Sequence, residues 1–148
     1  MAKRNLPIGI EFYKKVIDEA YFYVDKTLII KELLDRQSYV NLFTRPRRFG
    51  KTLALDMLKT FFEDEIDDKG NAVDNSRYFA DKKIMDAGNQ YIQHMGRYPV
   101  IYLSFMSSKQ ADWDTTFWMI KKQIAEEYIR HQYVLQTDDL LEVEKNLY

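Results

Sequence analysis

The sequence predicts an α/β domain with a mainly parallel sheet flanked by helices. Two short apolar runs, YVNLFT at 39–44 and VIYLSF at 100–105, have the β-branched and aromatic character of buried strands. Segments of ten or more residues with apolar positions at helical spacing stand between and after them. Turn signals bound each run, and strands alternating with helices of this length pack as parallel βαβ units.

Taken in chain order, residues 8–19 have a short helical pattern, and residues 21–24 favour extended backbone. Asp25 is placed to cap the next helix, KTLIIKELLDRQ, in which Leu28, Ile29 and Leu33 share one apolar face. The run 39–44 follows as a strand, and RPRRFG makes the turn out of it. KTLALDMLKTFFE is then an amphipathic helix with Leu53, Met57, Leu58 and Phe61 on its apolar side. Residues 63–75 are polar, acidic and carry Gly70, so they read as a loop. A helical pattern resumes at Ser76 and continues to His94, with Gly88 as the natural break. Pro99 opens the second strand. Asp112 or Asp114 caps a long helix whose inner face is formed by Phe117, Ile120, Ile124 and Tyr128. Residues 137–148 begin a further helix, and with only two secure strands the sheet is expected to be incomplete at the C-terminus.

Composition narrows the functional classes. The 148 residues are 46% hydrophobic and 15% aromatic, which fits a folded domain and excludes a disordered chain. No apolar run approaches the roughly 18 residues of a membrane span, and the first five residues do not lead into a secretory apolar core. Absence of cysteine excludes disulfides and thiolate metal sites and fits a cytoplasmic location. His94 and His131 are too far apart for metal-ligand spacing. The net charge of −1 conceals an uneven distribution: residues 1–60 hold 12 Lys/Arg against 7 Asp/Glu, and residues 61–148 hold 10 against 16. An anionic ligand is therefore drawn to the first part of the chain.

That part contains Gly50, Lys51 and Thr52, the second half of the phosphate-loop pattern G-x-x-x-x-G-K-[ST]. Arg45 occupies the position of the pattern's first glycine. The context is that of a phosphate loop, with an apolar run ending just before it and a helix beginning at the lysine. Backbone amides at a helix start lack intrahelical partners and, with the helix dipole, attract anions. Gly50 lets the backbone wrap closely around phosphate oxygens. Lys51 is then the phosphate ligand and the Thr52 hydroxyl the Mg²⁺ ligand, while Gly50 and the amides of Arg47, Arg48, Phe49, Lys51 and Thr52 form the cradle. Pro46 holds the turn that the missing glycine would otherwise ease. The same cations also suit a phosphodiester backbone, so a nucleic-acid contact stands as the rival reading.

The blocks LPIGIEFYKKVIDEAYFYVDKTLIIKELL and VNLFTRPRRFGKTLALDMLKTFF resemble the N-terminal part of the AAA-ATPase-like family of bacterial and archaeal proteins, and RYPVIYLSF extends the resemblance. In that family the loop usually reads R-P-R-R-F-G-K-T, so Arg45 is a family trait. The resemblance implies a P-loop NTPase-type fold, ATP and Mg²⁺ as ligands, and in many members a following PD-(D/E)XK nuclease-like domain. It also implies a place near the adenine for residues 23–27 (YVDKT), although capping by Asp25 explains these residues without a ligand, and Lys26 has an alternative role in pairing with a neighbouring helix. A Walker B strand ending in acidic residues is not recognisable here. Residues 1–148 are accordingly expected to be the N-terminal portion of the ATPase domain, with Walker B and any C-terminal domain beyond residue 148.

The expected function is ATP binding, coupled in the full-length protein to hydrolysis and a nuclease-like module. Whether this chain turns over ATP by itself stays open, and no catalytic residue is assigned. The alternative is a non-catalytic nucleic-acid or protein interaction module that uses the basic patch of Arg45, Arg47 and Arg48.

Overall fold

The computed structural model describes residues 5–44, 46, 49–105 and 112–136. The chain divides into two compact units, residues 1–100 and residues 101–148. The first contains helix α1 (Tyr13–Asp18), α2 (Leu28–Arg36), α3 (Lys51–Phe62), the 3-10 turns Ser76–Tyr78 and Lys83–Asp86, and the short α4 (Asn89–Ile92). The second contains α5 (Trp113–Arg130) and the 3-10 turn Gln132–Gln136.

The expected parallel sheet is not found, and the fold class read from the sequence is corrected accordingly. Among the described residues there is no β-strand, only isolated bridges between Glu63 and Tyr98 and between Ile66 and Ala72. Residues 39–44 and 100–105 form no ladder among the described residues. A strand needs a second backbone about 4.8 Å away to take its amides and carbonyls. Here Tyr39, Val40 and Leu42 stay exposed, as do Ile101, Leu103 and Phe105. Apolar, β-branched composition makes a segment ready to pair without supplying the pairing.

Helix prediction fares better. α2 and α3 fall where the apolar spacing put them, with Ile30 buried in α2 and Met57 and Phe61 buried in α3. α1 is shorter than the pattern over 8–19. The pattern over 76–94 resolves into two 3-10 turns and α4, divided at Gly88, whose φ of +119° is natural only for glycine. α5 is capped by Asp112, whose carboxylate accepts the Thr115 amide at 2.8 Å. No residue of α5 is buried, so its expected inner face at Phe117, Ile124 and Tyr128 is exposed. The helix expected over 137–148 lies outside the described residues.

The core of the first unit is aromatic. Tyr13, Phe61 and Phe79 are fully buried, with Phe79 packed at 5.3 Å from Tyr13 and 5.2 Å from Phe61 between ring centroids. The Phe61 and Phe79 rings meet edge to face, the arrangement aromatic quadrupoles favour. Polar bonds fix the register of this packing. α1 has no side-chain cap of its own, and the Tyr13 amide donates instead to the buried Asp56 carboxylate of α3 at 2.6 Å. The Tyr13 hydroxyl donates to the Tyr78 carbonyl at 2.9 Å. At the far end of α3, the carbonyls of Phe61 and Phe62 accept the amides of Gly96, Arg97 and Tyr98 at 2.8–3.0 Å, satisfying groups that a helix terminus leaves open.

Replacing Phe61 by alanine should cost about 3–5 kcal/mol, the usual loss for a buried aromatic side chain. Urea denaturation followed by far-UV circular dichroism measures it; a loss below about 1 kcal/mol would show that another cluster holds this unit together.

Candidate functional site

The chain enters α3 through Gly50 at φ +69° and ψ 32°, a left-handed conformation that an L side chain adopts only with strain. The Ala54 amide closes the first turn by donating to the Gly50 carbonyl at 3.0 Å. The amides of Lys51, Thr52 and Leu53 thus precede the first intrahelical bond. No side chain caps this helix, and its first turn carries no acidic residue. A twelve-residue helix whose first turn has no acid of its own suits an anion at its positive dipole end.

Of the residues read as the cradle, Phe49 and Gly50 make the bend before α3, and Lys51 and Thr52 open it. Phe49 and Lys51 are exposed and Thr52 is half-buried. Arg45, Arg47 and Arg48 lie outside the described residues, and the basic-patch alternative lies there with them. No cluster of acidic or histidine side chains able to hold a metal occurs among the described residues.

A second segment reaches this bend. A β-carbon built at Gly50 would lie 3.8 Å from the Lys26 Nζ, so the ammonium group of a half-buried lysine stands beside the glycine. The flanking residues explain how it is held. One Asp25 carboxylate oxygen accepts the Thr27 amide at 2.8 Å and the Thr27 hydroxyl at 2.7 Å; the other accepts the Lys83 amide at 2.8 Å. The fully buried Thr27 oxygen in turn accepts the Ile84 amide at 3.2 Å. Asp25 and Thr27 thus clasp the start of α2 to the turn Lys83–Asp86, 58 residues away in sequence. Burial raises the Asp25 pKa, but the amides of Lys83 and Thr27, the Thr27 hydroxyl and the charge of Lys82 outweigh it, so the net shift is downward.

The sequence reading put Asp25 at the N-cap of α2. That position belongs to Thr27, with Asp25 bonded to its amide two residues on. The approach of Lys26 to Gly50 was missed, and its only sequence signal was that YVDKT and the loop both lie in the blocks that carry the family resemblance. Beside the same helix lies an apolar hollow lined by Ile29, Phe43, Lys51, Ala54, Leu55 and Leu58. Its side chains are hydrocarbon apart from Lys51, which gives a nucleobase edge little to bond.

Comparison with known proteins identifies the family. The family model described as Predicted AAA-ATPase matches residues 7–147, which bears out the resemblance read from the two motif blocks. A similar curated protein is the "Uncharacterized protein in vnfD 5'region" of Azotobacter chroococcum mcd 1, 43% identical over 63 residues. The alignment covers 42% of this chain and 12% of that protein, so the chain spans a small part of its relative's length. No solved structure matches. Among the described residues, no helix is long and apolar enough to cross a membrane.

Gly50→Ala should destabilise the chain by about 1–2 kcal/mol through backbone strain, since the added carbon meets only ordinary contact at 3.8 Å. Gly50→Asn should cost less, because asparagine tolerates the left-handed region; equal losses in urea titrations would refute the conformational explanation. The Asp25 clasp predicts a pH effect of defined sign. Its carboxyl pKa is lower in the folded than in the unfolded chain, so its contribution is present above the unfolded value of about 3.9 and lost as pH falls through the lower folded value. Asp25→Asn should flatten that acid limb of the stability profile; an unchanged limb would place the acid sensitivity elsewhere.

Proposed function

The chain belongs to the predicted AAA-ATPase family, and from that premise we propose that the head of α3 binds the phosphate tail of Mg·ATP. The observation that carries the reading is the left-handed Gly50 opening a helix whose first turn has neither a side-chain cap nor an acid. In this reading Gly50 and the amides of Arg47, Arg48, Phe49, Lys51 and Thr52 surround the phosphates, Lys51 neutralises the terminal groups, and the Thr52 hydroxyl ligates Mg²⁺. The nucleotide supplies the anionic oxygens that complete the cation's coordination. The family match supports this assignment, and so does the net positive charge of residues 1–60.

Hydrolysis, and its coupling to a nuclease-like module, are proposed for the whole protein, with residues 1–148 serving as its nucleotide-holding portion. Support for these two parts comes from the family resemblance alone. Within residues 1–148 the proposal concerns binding.

Titration calorimetry of the chain with Mg·ATP tests it. Wild type should bind, and Lys51→Ala should weaken binding by tenfold or more, about 1.4 kcal/mol or greater, with an unchanged melting temperature. Wild-type affinity in Lys51→Ala would overturn the assignment, as would the absence of binding to wild type.

A further inference from the structure

We propose that Lys26 is a second phosphate-binding cation, reaching the nucleotide from the Gly50 side of the loop. The inference rests on the binding reading given above and adds to it a residue from a different segment, 25 positions before Lys51. Three observations bear on it. The Lys26 Nζ lies 3.8 Å from where a Gly50 β-carbon would stand, next to the backbone that would wrap the phosphates. Among the described residues no carboxylate forms an ion pair with it. Its sequence neighbour Asp25, the nearest acid along the chain, is committed to the amides of Thr27 and Lys83 and to the Thr27 hydroxyl.

An ammonium group standing at the positive end of a helix dipole raises the energy of the folded chain unless an anion joins it. The Asp25–Thr27 clasp keeps Lys26 there by bonding the residues on both sides of it to the turn Lys83–Asp86. A polyphosphate at the loop relieves that repulsion and gains a charge-assisted hydrogen bond whose donor is already positioned. The gain depends on the number of phosphates: a triphosphate presents more charge to a cation outside the α3 amides than a monophosphate does.

The test compares the dissociation constants of wild type, Lys26→Met and Lys51→Ala for Mg·ATP, Mg·ADP and AMP. Lys26→Met should weaken Mg·ATP by roughly tenfold and AMP by less than about twofold, with the melting temperature preserved. Equal losses for ATP and AMP, or wild-type affinity for ATP, would overturn the proposal. Loss of ATP binding in Lys51→Ala alone would leave the binding site standing and remove Lys26 from it; no binding to wild type would remove both. A second measurement needs no substitution. Acetylation of Lys26 by acetic anhydride, read by mass spectrometry, should be slowed by Mg·ATP in the wild-type chain, and an unchanged rate would count against the assignment even if Lys26→Met failed to fold.

Discussion

A single buried carboxylate holds the first unit in register. Asp56 lies inside α3, and its oxygen takes the amide that opens α1, a helix with no cap of its own. Burial pushes the Asp56 pKa upward more than the Tyr13 amide and the nearby Lys59 and Lys14 charges lower it. The bond therefore persists against a desolvation cost, offset by the aromatic packing around it and by the donor it satisfies. Tyr13 supplies that amide and also a fully buried ring of the core, so the polar bond and the apolar contacts fix the same residue. Had α1 been capped locally, its position relative to α3 would rest on less directional contacts.

The proposed nucleotide site stands on this arrangement. Asp56 is five residues after Lys51, on the helix whose first turn forms the proposed cradle. The Asp25–Thr27 clasp acts on the other side, tying the entry of α2 to a distant turn and setting Lys26 beside Gly50. Buried polar bonds between segments far apart in sequence thus bring together a glycine and two lysines. None of the three segments could form the site by local structure alone.

How much could be read beforehand follows from which forces are local. The spacing of Leu53, Met57, Leu58 and Phe61 located α3, because helix periodicity is written in neighbouring residues. Gly50, Lys51 and Thr52 were legible for the same reason. The sheet was not, because pairing lies between segments: the runs at 39–44 and 100–105 have strand composition and no ladder among the described residues. Lys26 was legible only as part of YVDKT; its nearness to Gly50 was not, because that depends on Asp25 finding an amide 58 residues away, which no window of sequence displays. The region 76–94 misled differently, since its apolar spacing suits a helix while the bonds close as 3-10 turns.

The tail of α3 gives this design a mechanical character. Amides of residues 96–98 hold its last carbonyls and Asp56 pins its middle, so about 18 Å of helix is tied to the rest of the unit at two separate points. A rod secured at two points keeps its direction. The direction in which Gly50 delivers the chain into α3 is therefore set together with the aromatic interior behind it.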